Sequence, residues 1–245
     1  MRIDLNCDVA EGVGNEADLM PWITSANIAC GFHAGDVNLM AETVKLCKTH
    51  GVAIGAHPSF PDRENFGRTN MDIPADRLRA MVIEQVLLLQ SIARAHGTEL
   101  RHVKPHGALY NMAAVDTGIA GTLAEAVASI DRGLVFFGLS GSRMISAAEQ
   151  RGLRAANEVF ADRTYQPEGT LTPRSKPDAL ITSLEESVRR SLAFAKGEAI
   201  PAQDGSMLHL KAETICLHGD GPDAIGYAKA IHQRLKQENV MIGHG

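Results

Sequence analysis

His102-Val-Lys-Pro-His-Gly-Ala-Leu-Tyr-Asn111 is the stretch whose reading decides the fold. Leu100, Val103 and their neighbours form a short apolar run of the length of a buried strand. Pro105 removes one backbone donor from the ladder, so the strand stops there. Lys104, His106, Tyr110 and Asn111 crowd its end. On a strand, Lys104 shares a face with position 106 and opposes Val103. Taken alone, the stretch also reads as a polar loop with a Pro-His-Gly turn. The same grammar recurs elsewhere, however: an apolar run ends in His or Asp, and Gly or Pro follows at once.

Outward from this point, strands are expected over Arg2–Cys7, Ala26–Cys30, Val52–Ala56, Leu134–Leu139, Arg154–Phe160 and Thr214–Leu217. Helical patterns lie between them. One is capped by Asp36 and ends at Gly51, a second runs from Pro74 to Gly97, and a third covers Thr117–Ile130. A fourth follows Ser140-Gly141 to Gly152, a fifth starts at Pro177 and ends near Gly197, and the last runs from Pro222 to about Glu238. Residues 198–211 show no clear period. Strand and helix thus alternate seven times without a linker or a break in composition, which calls for a parallel sheet with helical crossovers in one domain over residues 1–245. An open doubly wound sheet and a closed barrel both satisfy that order. Polar residues after nearly every strand, rather than at one crevice, favour the barrel, whose site draws on many strand ends. Seven strands instead of eight make it a distorted (β/α) barrel.

At 245 residues the chain is of ordinary barrel length, and 44% hydrophobic with 22% charged residues is ordinary globular composition. A net charge of -5 without a basic run argues against nucleic acid, and no apolar stretch reaches the length of a membrane span. The N-terminal residues enter a strand pattern without the apolar core of a signal peptide. Cys7, Cys30, Cys47 and Cys216 sit in apolar segments without Cys-x-x-Cys spacing, as expected of reduced thiols in a cytoplasmic protein. Cys7 and Cys30 read as packing residues, since no thiolate-stabilising partner can be assigned to them.

The strand ends offer Asp8, Glu11, His33, Asp36, His57, Lys104, His106, Glu158, Asp162, His218 and Asp220. In a barrel all of them converge on one face. Asp with two or three His is also the ligand set of a hydrolytic divalent metal, although no His-Glu-x-x-His is present. Without a metal, Asp8 or a histidine must serve as general base. Arg68, Lys104 and Arg174 are candidates for holding a carboxylate or phosphate. Neither Gly-x-x-x-x-Gly-Lys-[Ser/Thr] nor Gly-x-Gly-x-x-Gly occurs, so the chain carries no familiar nucleotide cradle.

Several long motifs together resemble one family. They are Asp4-Leu-Asn-Cys-Asp8 with Glu11-Gly12, Ser25-Ala-Asn-Ile-Ala-Cys-Gly-Phe-His-Ala-Gly-Asp36, and Gly55-Ala-His-Pro-Ser-Phe-Pro-Asp62 with Gly67-Arg68. His102–Asn111, Glu158-Val-Phe-Ala-Asp-Arg163 and Cys216-Leu-His-Gly-Asp220 continue the match. The chain resembles the LamB/YcsF family from its first strand to its last helix. The resemblance implies a barrel of the glycoside hydrolase/deacetylase type. It also implies ATP-coupled opening of 5-oxoproline to L-glutamate in a complex with subunits B and C, ATP being handled through those partners. Phosphorylation of the lactam oxygen would make C5 electrophilic and turn that oxygen into a leaving group.

Deacetylases of related fold bind a metal through an Asp after strand one and a His-x-x-x-His pair after strand three. Asp8 and His57 stand at comparable places, but position 61 is Pro, so His33 or His106 would have to complete a metal set such as Asp8, His57 and His106. The resemblance makes Asp8, His57, Lys104 and His106 the expected catalytic residues. Asp8 would be base or metal ligand, the histidines acid and base, and Lys104 the anion holder. Glu11, His33, Asp36, Arg68, Tyr110, Asn111, Glu158, Arg174 and His218 are the expected substrate-binding residues. Two rivals stand beside this reading: a metal-dependent deacetylase or amidohydrolase acting alone, and a non-catalytic subunit that only docks partners.

Overall fold

The computed structural model describes residues 1–221 and 223–244. Six parallel strands run in order: β1 (Arg2–Val9), β2 (Ser25–Ala29), β3 (Ala53–His57), β4 (Leu100–Val103), β5 (Val135–Leu139) and β6 (Arg154–Phe160). A small antiparallel pair follows, β7 (Ile200–Pro201) with β8 (Met207–Leu208). The seventh barrel strand, β9 (Thr214–His218), pairs with β6 on one side and β1 on the other, which closes the barrel. Closure is uneven. β9 meets β1 only from Asp4 onward, and the two-residue β10 (Met241–Ile242) pairs with the start of β1 instead. The chain is thus a distorted seven-stranded (β/α) barrel, and the pairing of β9 with β1 decides between the two arrangements its alternating pattern allows.

The helices are the short α1 (Glu16–Leu19), α2 (Val37–His50), α3 (Ala75–Ala95), α4 (Gly107–Val115), α5 (Thr117–Ile130), α6 (Arg143–Gln150), α7 (Leu184–Lys196) and α8 (Ala224–Gln237). Asp36 caps α2 by accepting from the Leu39 N–H, and Gly51 ends it in the left-handed conformation. No single helix among the described residues is long and apolar enough to cross a membrane.

Three sequence expectations need correction. α4 is an addition to the expected helices, because Ala-Leu-Tyr-Asn-Met-Ala-Ala-Val is apolar almost throughout and shows no amphipathic period. α7 starts at Leu184 rather than Pro177, because residues 179–181 pair instead with 162–164 (Thr164 N to Ala179 O, Ile181 N to Asp162 O) and Ser183 then caps the helix. A short strand, β10, follows the last helix. The expected start of that helix at Pro222 lies outside the described residues.

Along β1, Ile3, Leu5, Cys7 and Val9 pack outward into the apolar layer beneath the helices. Asp4, Asn6 and Asp8 point inward, and the barrel interior is correspondingly polar. Asp4 accepts from Thr24, Ser25 and Thr214. Asn27 donates to Asn6 and Asp8, and His102 meets the Asn27 amide oxygen at 2.7 Å. A buried polar network is tolerable when its members are hydrogen-bonded, and it then fixes one arrangement. Gly55 makes room for it, since a Cβ there would stand 2.0 Å from His102 Nε2.

Candidate active site

A cavity of about 720 Å3 opens at the C-terminal ends of the strands. Of the expected site residues, Asp8, Glu11, His57, Arg68, Lys104, His106, Tyr110, Asn111, Arg174 and His218 line it. Asp36 does not. It is exposed and spent on capping α2. His33 and Glu158 are buried behind the wall, and each touches a lining residue.

Lys104 stands one residue past β4, where its N–H still donates to Ala56 O. Val103 faces outward and is fully buried, so Lys104 turns into the barrel. Its Nζ lies 2.8 Å from Asp8 Oδ1, 3.0 Å from Glu158 Oε1, 3.3 Å from Asn6 Oδ1 and 3.0 Å from Cys216 Sγ. Burial alone would lower the Lys104 pKa, but Asp8, Cys216 and Glu158 outweigh it and hold the ammonium well above the ordinary lysine value. Burial likewise pushes Asp8 up, and His57 and Lys104 reverse this, leaving its carboxyl well below the usual range. Asp8 Oδ1 is occupied by Lys104 and Asn27, while Oδ2 accepts no hydrogen bond and lies 3.4 Å from His57 Nε2.

Beside this ion network sits a cluster of three histidines and one carboxylate. His57 Nδ1 is 2.7 Å from Lys104 O, and His106 Nε2 is 2.9 Å from Phe66 O. A carbonyl only accepts, so both of those nitrogens carry hydrogen. The remaining nitrogens, His57 Nε2 and His106 Nδ1, face each other at 2.9 Å. His33 stacks on His106 with ring centroids 3.8 Å apart, and its Nε2 meets Glu11 Oε1 at 3.1 Å. Burial, then His57, lowers the His33 pKa to about 2, and burial with His33 takes His106 well below the ordinary histidine value. Burial, then Asp8, raises Glu11. The loop carrying Phe66 is tightly held. Phe66 has φ 57°, and a Cβ on Gly67 would come within 2.9 Å of both His106 and His33.

At the rim, His218 Nδ1 donates to Asp162 Oδ2 at 2.6 Å, and Arg174 Nη2 donates to His218 Nε2 at 3.2 Å. Arg68 pairs with Asp220 at 3.1 Å. A ring nitrogen of His218 and a carboxylate oxygen of Asp8 lie within 4.8 Å of each other. The Tyr110 hydroxyl is buried beside the cavity without a hydrogen-bond partner. Burial raises the thiols of Cys7 and Cys216 well above the ordinary value and that of Cys30 to about 12, so none is an activated nucleophile.

Sequence reasoning missed Asn6, Asn27, Cys216 and Arg163. Asn6 and Asn27 position Asp8 and Lys104, while Arg163 lines the cavity and holds its outer loop by donating to Thr172 O and Ala179 O. The alternation of Asp4, Asn6 and Asp8 was the available signal, but a polar strand face ordinarily means solvent rather than a barrel interior.

The closed barrel, with carboxylates, histidines and cations gathered at the C-terminal ends of its strands, defines a (β/α)-barrel protein with one polar working face. Within that class the chain belongs to the LamB/YcsF family, whose model matches residues 3–244. It is 48% identical over 246 residues to the A subunit of 5-oxoprolinase from Bacillus subtilis (strain 168), an alignment covering 98% of this chain and 96% of that one. The crystal structure of the lactam utilization protein from Thermus thermophilus superposes with a TM-score of 0.94 at 39% identity, covering 100% of both chains.

Proposed function

We propose that this chain is the A subunit of a 5-oxoprolinase, opening the lactam of 5-oxoproline to L-glutamate with ATP hydrolysis in a complex with subunits B and C. The observation that carries the reading is the unoccupied lone pair of Asp8 Oδ2, facing the cavity opposite an Asp162-backed His218, in a chain 48% identical to a protein of that name. Transfer of the γ-phosphoryl group of ATP to the lactam oxygen leaves ADP and makes C5 electrophilic. Water adds to C5 and loses its proton, the C5–N bond breaks, and the nitrogen takes up a proton as amine. The acyl phosphate that remains is hydrolysed by a second water to L-glutamate and phosphate.

Two of these steps need groups that this chain supplies. Asp8 Oδ2 takes the proton of the attacking water, and Lys104, with Asn27, keeps that carboxylate ionised and aimed. His218, a ring nitrogen of which lies within 4.8 Å of an Asp8 carboxylate oxygen, takes that proton on Nε2 in place of its contact with Arg174 and passes it to the ring nitrogen, while Asp162 holds Nδ1–H. Lys104 already meets two carboxylates and is therefore their counter-ion. Arg68, paired with Asp220, and Arg174, which donates to His218, are the rim cations whose remaining guanidinium donors meet the substrate carboxylate or the phosphoryl group. ATP activation falls to the partner subunits, in keeping with the lack of a phosphate loop here.

The assembled three-subunit complex should open 5-oxoproline with ATP, and the isolated chain should not. Asp8→Asn should slow the complex by roughly two to four orders of magnitude, the usual contribution of a general base. ATP-dependent turnover by the lone chain at a comparable rate, or an Asp8→Asn complex at parental rate, would refute this division of labour. The second result would leave the barrel a docking subunit.

A further inference from the structure

We infer that Arg163 and Arg174 form a phosphate subsite in the outer wall of the cavity, taking the phosphoryl group of the activated lactam, an assignment that rests on the function proposed above. Both guanidinium groups line the cavity. Arg163 is 4% exposed, yet its acceptors are neutral: Nε donates to Ala179 O at 3.2 Å and Nη2 to Thr172 O at 2.6 Å. Its Nη1 makes no hydrogen bond among the described residues. Arg174 donates to a ring nitrogen, His218 Nε2, at 3.2 Å. Neither forms a salt bridge among the described residues, because the two nearby acids are taken, Asp220 by Arg68 and Asp162 by His218. A buried cation without a counter-ion is costly, and a second cation on the same wall adds repulsion. Such a pair marks the place of an anion.

The crowding of these cations agrees with the geometry. Burial, then Arg174, lowers the Arg163 pKa to about 10, and burial, then Arg68, lowers that of Arg174. The guanidinium groups thus feel one another at the mouth, against carboxylates that are already engaged. A dianion between Arg163 and Arg174 cancels that repulsion and offers oxygens in the geometry that the guanidinium fork fits. A phosphoryl group carries close to two negative charges at neutral pH, whereas a carboxylate carries one. The phosphoryl group therefore goes to this pair, and the substrate carboxylate is left to Arg68.

The position suits the reaction. Arg174 touches His218, and a ring nitrogen of His218 lies within 4.8 Å of an Asp8 oxygen, so an anion on this wall shares one end of the cavity with the base and the acid. As Arg174 turns to the phosphoryl group it leaves His218 Nε2, whose lone pair is then open to a proton. Lys104 cannot hold the phosphoryl group, because Asp8 and Glu158 already engage it. Nor do the histidines fit a metal that would do so. The rings of His33 and His106 stack 3.8 Å apart and cannot both aim a lone pair at one ion. A metal on Asp8, His57 and His106 would sit beside the Lys104 ammonium, 2.8 Å from Asp8 Oδ1.

The test titrates the full chain with inorganic phosphate, and separately with acetate, by calorimetry at about pH 8, where phosphate is mostly the dianion. One equivalent of phosphate should bind saturably in the millimolar range or tighter, about tenfold or more tighter than acetate. Arg174→Gln should weaken phosphate binding about tenfold or more, the loss expected for a charged hydrogen bond. Arg163→Lys keeps the charge but not the fork and should weaken it as well. Lys176→Gln makes the same charge change as Arg174→Gln two positions further on, outside the cavity lining, and should leave affinity within about twofold. Circular dichroism and thermal unfolding separate a lost contact from a loosened loop, and Arg174→Gln carries the test if Arg163→Lys does not fold. Absence of saturable phosphate binding, acetate bound as tightly as phosphate, or Arg174→Gln at parental affinity would each overturn the inference. An equal loss in Lys176→Gln would overturn it too, by showing diffuse attraction only. Because binding is read on the chain alone, phosphate binding in a chain whose assembled complex opens no lactam would sink only the proposed function. Lactam opening without phosphate binding would sink only the subsite.

Discussion

Replacing Lys104 by Met removes one charge and keeps most of the stem. Asp8 Oδ1 and Glu158 Oε1 both lie within 3.0 Å of the ammonium, in a site where Lys104 is 2% exposed. Without it, two buried carboxylates face each other at roughly 5 Å, a repulsion of about 3 kcal/mol at an effective dielectric of about 20. Breaking a buried ion pair by deleting one partner costs about 3–5 kcal/mol by experience elsewhere. For a chain of this size that corresponds to a fall in melting temperature of about 6–20 °C. Like-charge repulsion would also raise the proton affinity of one of the two carboxylates above its unfolded value. The variant should therefore recover stability, relative to the parent, as pH falls through that raised pKa. Thermal and urea unfolding of the parent and Lys104→Met at several pH values measure both effects. Lys104→Met/Glu158→Gln should regain a large part of the loss, because one carboxylate of the repelling pair is gone. A single variant that unfolds within about 1 kcal/mol of the parent, with no pH dependence of the difference, would refute the counter-ion role of Lys104.

Three further outcomes follow from local geometry. Burial raises the Asp162 carboxyl, but His218 outweighs it and holds the pKa below the ordinary value, so the pair's contribution is present above the unfolded pKa of about 3.9 and lost as pH falls through the folded one. Asp162→Asn should accordingly cost about 1.5–3 kcal/mol at pH 7, and unfolding curves should show that difference shrinking below about pH 4. Gly55→Ala places a Cβ 2.0 Å from the His102 ring and should lower stability in urea unfolding by about 1–3 kcal/mol. All four thiols are buried, and burial takes Cys30 and Cys47 to about 12, so a thiol reagent at neutral pH should label the native chain only as fast as it opens and the denatured chain at once.

The elements legible in sequence were those with a local cause. Arg154–Phe160 and Thr117–Ile130 appear at the expected bounds, because the glycine that ends the helix before the strand and the amphipathic period of the helix are both local to their segments. Asp36 was visible as a cap for the same reason, and that role removes it from the cavity. The start of α7 was not legible, because Pro177 suits a first helical turn and only the distant segment 162–164 diverts it into pairing. Helix α4 was hidden by an apolar composition that any buried segment could share.

By itself the sequence determined the alternation of strand and helix, the placing of acids, histidines and Lys104 at strand ends, and membership in a family through motifs spread from Asp4 to Asp220. Only the tertiary structure decided which of those groups meet. Asp8, Lys104 and Glu158 are far apart in sequence and close in space because β1, β4 and β6 point the same face into one narrow barrel. Glu11 and His33 join His57 and His106 because four separate loops converge over the same end of it. Side-chain direction along a strand is a local property, but proximity across a closed sheet depends on register and closure, which no single segment encodes.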